Sequence, residues 1–123
     1  MVLPATAAPT ANAAENVAKL LDTRTCVNCD LHQADLHEAD LRGVNLSGAN
    51  LHNADLSSAM LMAVNLKNAN LKAANLTGTI AIVTDLTGAD LTDAQLDPAL
   101  LKKVTLCQTT LPNGHMSDRD CAD

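Results

Sequence analysis

Ala34-Asp35-Leu36-His37-Glu38 is followed by Ala39-Asp40-Leu41-Arg42-Gly43 and Val44-Asn45-Leu46-Ser47-Gly48, three groups of five in one register. The register holds from Cys29 to Gln108, sixteen groups without an insertion. The third position is Leu in fifteen of the sixteen, from Leu31 to Leu106, and Ala81 is the exception. The first position is small, Ala in ten groups and Val, Thr or Cys in the others, while the second is Asp or Asn in eleven.

A period of five suits neither regular element. On an α-helix successive Leu residues would drift by about 140° and leave no stripe. In a flat strand an odd spacing sends successive Leu residues to opposite faces. The chain must therefore bend once per group so that every Leu reaches one interior, which is the mark of a solenoid.

The pattern Ala-(Asp/Asn)-Leu-x-x, as in Ala49-Asn50-Leu51-His52-Asn53 and Ala69-Asn70-Leu71-Lys72-Ala73, resembles the pentapeptide-repeat family. The resemblance implies an all-β solenoid, a right-handed quadrilateral β-helix with four groups per coil. The central Leu and the preceding small residue would point inward. About four coils and a body of about 20 Å follow at the spacing of paired strands.

Each end of such a stack exposes unpaired backbone and needs cover. Asn12-Ala13-Ala14-Glu15 fits a capping box, and Val17, Leu20 and Leu21 then form the apolar face of a short capping α-helix over 12–23. Residues 24–108 form the β-helix and 109–123 a closing loop, turning at Pro112-Asn113-Gly114. Residues 1–11 are rich in Ala, Pro and Thr, and Ala11-Asn12-Ala13 resembles the small-residue end of a secretory leader. They are either the tail of such a leader or a disordered extension of a cytoplasmic protein.

Cys107 and Cys121 lie fourteen apart around the turn, and a disulfide there would contribute roughly 3 kcal/mol by loop entropy. Cys26 and Cys29 form Cys-x-x-Cys, open to three readings: core thiols, a second disulfide, or a redox pair. The two pairs belong at opposite ends of the solenoid, too far apart for one zinc ion. His32 and His52, twenty apart, should stack on one face, but without a third ligand beyond Asp and Asn no metal is assigned.

There is no Phe, Tyr or Trp to stack on bases, and the formal net charge is -6. Nucleic acid is therefore not an expected partner. No apolar run approaches the roughly 20 residues that cross a bilayer, so no membrane insertion is expected. Six of the fourteen acids sit at the second position as part of the repeat, and no nucleophile elbow, P-loop or dinucleotide fingerprint occurs. The expectation is no enzyme and no cofactor.

Arranged in four columns of period twenty, the outward positions are polar in three. The third column instead carries Met60, Met62, Ile80, Ile82 and Leu100, extended by Ala63 and Val83. An apolar patch of this kind marks an interaction surface, with an unknown protein or a second copy as partner. A bulge turning Ile80 or Ile82 inward beside Ala81, or cover from the N-terminal segment, are the local alternatives.

The resemblance is closest to short cyanobacterial or thylakoid-lumen members with an N-terminal helix, a Cys-x-x-Cys entry and a cysteine-containing tail. It implies a structural or interaction module in a periplasm or thylakoid lumen, with the cytoplasm as the alternative. Two other roles stay open: a DNA-mimic inhibitor of a topoisomerase, suggested by other family members, and a redox protein using Cys26 and Cys29.

Overall fold

The computed structural model describes residues 8–122, with side chains from residue 13 onward. Backbone pairing repeats every twenty residues. Parallel bridges join Thr25, Asn45, Asn65, Asp85 and Thr105 in one series and Asp30, Asn50, Asn70, Asp90 and Thr110 in another. Asp35, Asp55, Asn75 and Gln95 form a third series, and Asp40, Met60 and Ile80 a fourth. Each turn of the solenoid therefore holds four groups of five, with a bridge on each side.

One group shows why the repeat has its composition. In Ala69–Ala73 the first N–H donates to the Leu66 carbonyl at 3.1 Å, closing the preceding corner. The second reaches back to Ala49 at 2.9 Å, while the third and fifth reach forward to Asp90 at 2.8 Å and Thr92 at 2.9 Å. Only the fourth N–H, on Lys72, has no backbone partner. The Asn70 side-chain Oδ1 accepts it at 3.0 Å. An Asp or Asn two residues upstream is thus an Asx turn, placed where the ladder leaves a donor over. The same bond recurs from Asp30 and His32 at 3.2 Å to Asp90 and Thr92 at 3.0 Å.

The corners need a left-handed residue at the fifth position. Asn53, Ser58, Ala73 and Asp93 all have φ between 58° and 61°, and Gly48 and Gly88 have 70° and 73°. With the bond from the N–H three residues on to the central Leu carbonyl, as from Ala74 to Leu71 at 3.1 Å, this has the form of a type II turn. Glycine at Gly48 and Gly88 has a second cause: the amides of Asn28 and Asn68 lie over them from the turn before, and a Cβ on either glycine would overlap the amide oxygen.

The interior is filled by the central Leu column and the small first residues; Leu31, Leu41, Leu51 and Leu71 are fully buried. Thr84 and Thr109, also buried, donate their hydroxyls to the carbonyls of Leu61 and Leu86. In the described residues no buried side-chain polar atom lacks a partner.

The ladder has a direction, so its ends carry opposite hydrogen-bonding demands. The N-terminal end presents mostly carbonyls, and side-chain donors meet them: Asn16 on Asp30 O at 2.9 Å, and Arg24 on Asp40 O at 2.6 Å and Arg42 O at 2.8 Å. The C-terminal end presents mostly N–H groups, and carboxylates stand in for the missing turn. Asp120 accepts from Leu106 N and Asp118 from Gln108 N, each at 2.9 Å. Arg119 donates to the carbonyls of Leu101 and Val104 at 2.7 and 2.6 Å.

Several boundaries differ from the sequence expectation. The helix, α1, spans Ala8–Thr23, so residue 12 lies inside it and is not its N-cap. Residues 8–11 are helical, and the rest of the expected leader or extension, 1–7, lies outside the described residues. Leu20 is fully buried and Val17 packs on the core, but Leu21 is exposed, because one residue further turns it about 100° away. At the other end the repeat continues one group past residue 108: Thr109 is buried and Thr110 bridges Asp90. Thr109–Thr110, β1, then pairs antiparallel with Met116–Ser117, β2.

The Asx carboxylates tie the fold to pH. Hydrogen bonds from the Arg42 side chain and then its backbone N–H, with the charges of Arg42 and Arg24, hold Asp40 down at about 2. The His32 ring and N–H lower Asp30, and the Ser57 hydroxyl and N–H lower Asp55. For Asp85 burial works upward, but the Thr87 hydrogen bonds and Lys67 outweigh it. A lowered folded-state pKa gives stability that is present above the ordinary value of 3.8 and lost as pH falls through the folded value. The melting temperature is therefore expected to drop between about pH 5 and 2. Asp40→Asn keeps the acceptor but has no charge to lose, so its melting temperature should fall less over that interval; a slope equal to the parent's counts against this account.

Candidate functional site

The third column departs from the repeat chemistry in three ways. Met60 and Ile80 occupy second positions in the ladder, bridged to each other, but neither side chain carries the oxygen that makes an Asx turn. The N–H groups of Met62 and Ile82 consequently have no Asx partner among the described residues, each loss worth about 1 kcal/mol. Val83 sits at φ 59°, a left-handed conformation rare for a β-branched residue. It is also 72% exposed, so packing does not offset the strain.

Ala81 is buried in the central inward position, while Ile80 and Ile82 are 50% and 39% exposed. The bulge that would turn an isoleucine inward does not form. Met60 and Met62 are half-buried on the same side. Leu100 departs from its expected place. Instead of forming the next rung it lies in a 3-10 helix, Pro98–Lys102, half-buried and packed against the core.

Pro98 explains the departure. It falls at a fifth position, where the corner requires positive φ, and proline is held near −65°. The chain turns instead into the short helix, whose start is fixed by the Asp97 side chain accepting from Ala99 N at 3.0 Å. A groove of about 260 Å³ opens between this helix and the preceding turn, lined by Leu76, Gly78, Ile80, Ile82, Asp97 and Leu100 among others. The fifth-position proline was the sequence signal for this break.

Both cysteine pairs are disulfides, Cys26–Cys29 with Cα atoms 5.3 Å apart and Cys107–Cys121 with 4.7 Å. Cys26 is buried in the core and Cys29 is half-buried against it. His32 and His52 are not brought into a metal-binding group: the His32 Nδ1 is bonded to Asp30 at 2.7 Å and the His52 Nε2 faces Asn53 at 3.4 Å. A different set converges, Asp35, His37 and Asp55, with possible ligand atoms within 4.8 Å of one another. Asp35 and His37 are exposed and Asp55 is half-buried, and the Asp35 carboxylate, bonded at 2.5 Å, raises the His37 pKa. The period of twenty that stacks Asp35 on Asp55, with a His two residues after the first, was the signal missed.

In the described residues no helix is long and apolar enough to cross a membrane. A family model described as pentapeptide repeats matches residues 29–68 and 64–102; the fold of such proteins is a right-handed quadrilateral β-helix. Among solved structures, a pentapeptide repeat protein of the Arabidopsis thaliana thylakoid lumen is 23% identical over 72% of this chain and 62% of its own, with a TM-score of 0.51. HetL, a pentapeptide repeat protein involved in heterocyst differentiation regulation in Nostoc sp. strain PCC 7120, is 23% identical over 76% of this chain and 64% of its own, with a TM-score of 0.39. The chain thus spans less than two thirds of either protein. No curated protein matches it.

Restoring the repeat chemistry on this face should stabilise the fold. Val83→Asn, which tolerates the left-handed corner, is expected to gain about 1 kcal/mol, or several degrees in melting temperature. Met60→Asn should gain a similar amount by accepting the Met62 N–H. Thermal denaturation of the two variants checks both, and unchanged or lower midpoints would remove the case that this face is locally costly.

Proposed function

We propose, for a chain that belongs to the pentapeptide-repeat family, a non-catalytic structural or protein-interaction module that binds its partner through Met60, Met62, Ile80, Ile82, Val83 and Leu100. The observation that carries this is the combination on one face of apolar exposure, two forgone Asx bonds and a valine in a left-handed corner. Residues kept at a local cost without a packing return are the kind that serve a contact outside the chain. The partner is another protein or a second copy of this chain.

In this reading about four coils form the rigid body, α1 is the cap over the first, and the segment from Thr109 closes the last. The two disulfides favour an oxidising compartment, periplasm or thylakoid lumen. An interaction module also agrees with what pentapeptide-repeat proteins generally are. A redox role is less well supported, because thiol exchange needs an accessible sulfur and Cys26 is 1% exposed. The acids do not favour a DNA mimic: the charges of Asp85 and Asp90 face Lys67 and Lys72 at 3.6 Å, and Asp40 pairs with Arg42 at 2.8 Å, which breaks up any continuous acidic surface.

The double variant Met62→Ser, Ile82→Ser tests the face. Light scattering and affinity capture from the native compartment should show loss of an association that the parent makes, with the circular dichroism spectrum unchanged. Association retained at parental strength would remove this surface as the binding site.

A further inference from the structure

The groove beside Ile80 is bordered by an open ladder edge. In every complete turn the third and fifth N–H groups donate to the turn that follows, as Leu71 does to Asp90 and Ala73 to Thr92. Here residues 97–102 have left the ladder. The N–H groups of Gly78 and Ala81 consequently have no partner among the described residues, and neither does the position on the Thr79 carbonyl that Leu100 N would occupy. Leu100 N donates to Asp97 O at 2.8 Å instead. Ile80 remains bridged to Met60 on its other side, so the edge is held in ladder conformation.

We propose that this edge, Gly78–Ala81, binds one extended aliphatic peptide segment, which takes the ladder place that residues 97–101 vacate. This deepens, and rests on, the interaction-face reading by stating the partner's chemistry. The ladder specifies the contact. At the occupied rung, Ile80 donates to Ala59 O at 3.1 Å and accepts from Leu61 N at 2.7 Å, so one residue uses both its backbone groups. One guest residue would likewise donate to Thr79 O and accept from Ala81 N, and a carbonyl three residues earlier would accept from Gly78 N. This is strand addition to a sheet edge, with backbone bonds giving affinity and flanking side chains giving selection.

The groove selects the kind of strand. Its apolar walls, Leu76, Ile80, Ile82 and Leu100, suit aliphatic side chains, and Asp97 and Lys103 balance in charge, which fits an uncharged segment. A second folded copy is a poorer fit, because the edge lies in a groove of about 260 Å³ behind the 3-10 helix. A strand can enter such a space, whereas the side of a solenoid cannot.

The test uses the full chain and a blocked peptide with the sequence of residues 57–63 flanked by lysines, together with the same peptide N-methylated at the Met60 position. The unmodified peptide should slow hydrogen exchange at the Gly78 and Ala81 amides, and N-methylation should weaken binding about tenfold by removing one donor. Absence of peptide binding, unchanged exchange at both amides, or equal affinity of the methylated peptide would each overturn the proposal. Protection that grows with protein concentration alone would overturn it in favour of self-association. If the Met62→Ser, Ile82→Ser variant loses its partner while the peptide leaves both amides exchanging freely, the face reading stands and strand addition fails. If that variant keeps its partner, the face reading itself fails.

Discussion

The hydrogen-bonded ladder between residues twenty apart organises this molecule. A chain that bends every five residues cannot satisfy its backbone within one element, so the donors of each turn depend on carbonyls of the turns before and after it. The ladder uses four of the five N–H groups in a unit, one of them to close the corner. The remaining donor falls at the corner itself, and the Asx side chain two residues upstream receives it, as Asn70 does for Lys72. Leucine in the centre, a small residue before it and Asp or Asn between them are therefore parts of one solution.

The same directionality explains the ends. A stack of turns leaves an excess of carbonyls at one end and an excess of N–H groups at the other, a partial form of the asymmetry of an α-helix. The chain meets the first with the cation and amide of Arg24 and Asn16 and the second with the carboxylates of Asp118 and Asp120. Arg119, paired with Asp120 at 2.8 Å, covers the carbonyls that the last turn leaves over. Each end group thus matches a particular backbone demand.

Against so uniform a ladder, the third column is distinctive in its energetics as well as its hydrophobicity. Met60 and Ile80 leave corner donors to solvent, Val83 holds a strained corner, and Pro98 ends the rung that would have covered Ile80. The apolar face and the open edge lie side by side because the same column carries the substitutions and loses its next strand.

The sequence by itself determined the solenoid, its period, the inward Leu column, and the side on which apolar residues gather, because a fixed repeat makes spacing along the chain equivalent to position in space. Cys26, Cys29, Cys107 and Cys121 could be assigned to the two ends by the same equivalence. Where the repeat lapses, the assembled coils were needed to show what lies there. Which carboxylates close the last turn, and which N–H groups are left open beside Ile80, depend on which backbone groups lack a neighbour. That is a property of the assembled ladder, since an N–H is left over only once the turn that should have received it is seen to go elsewhere.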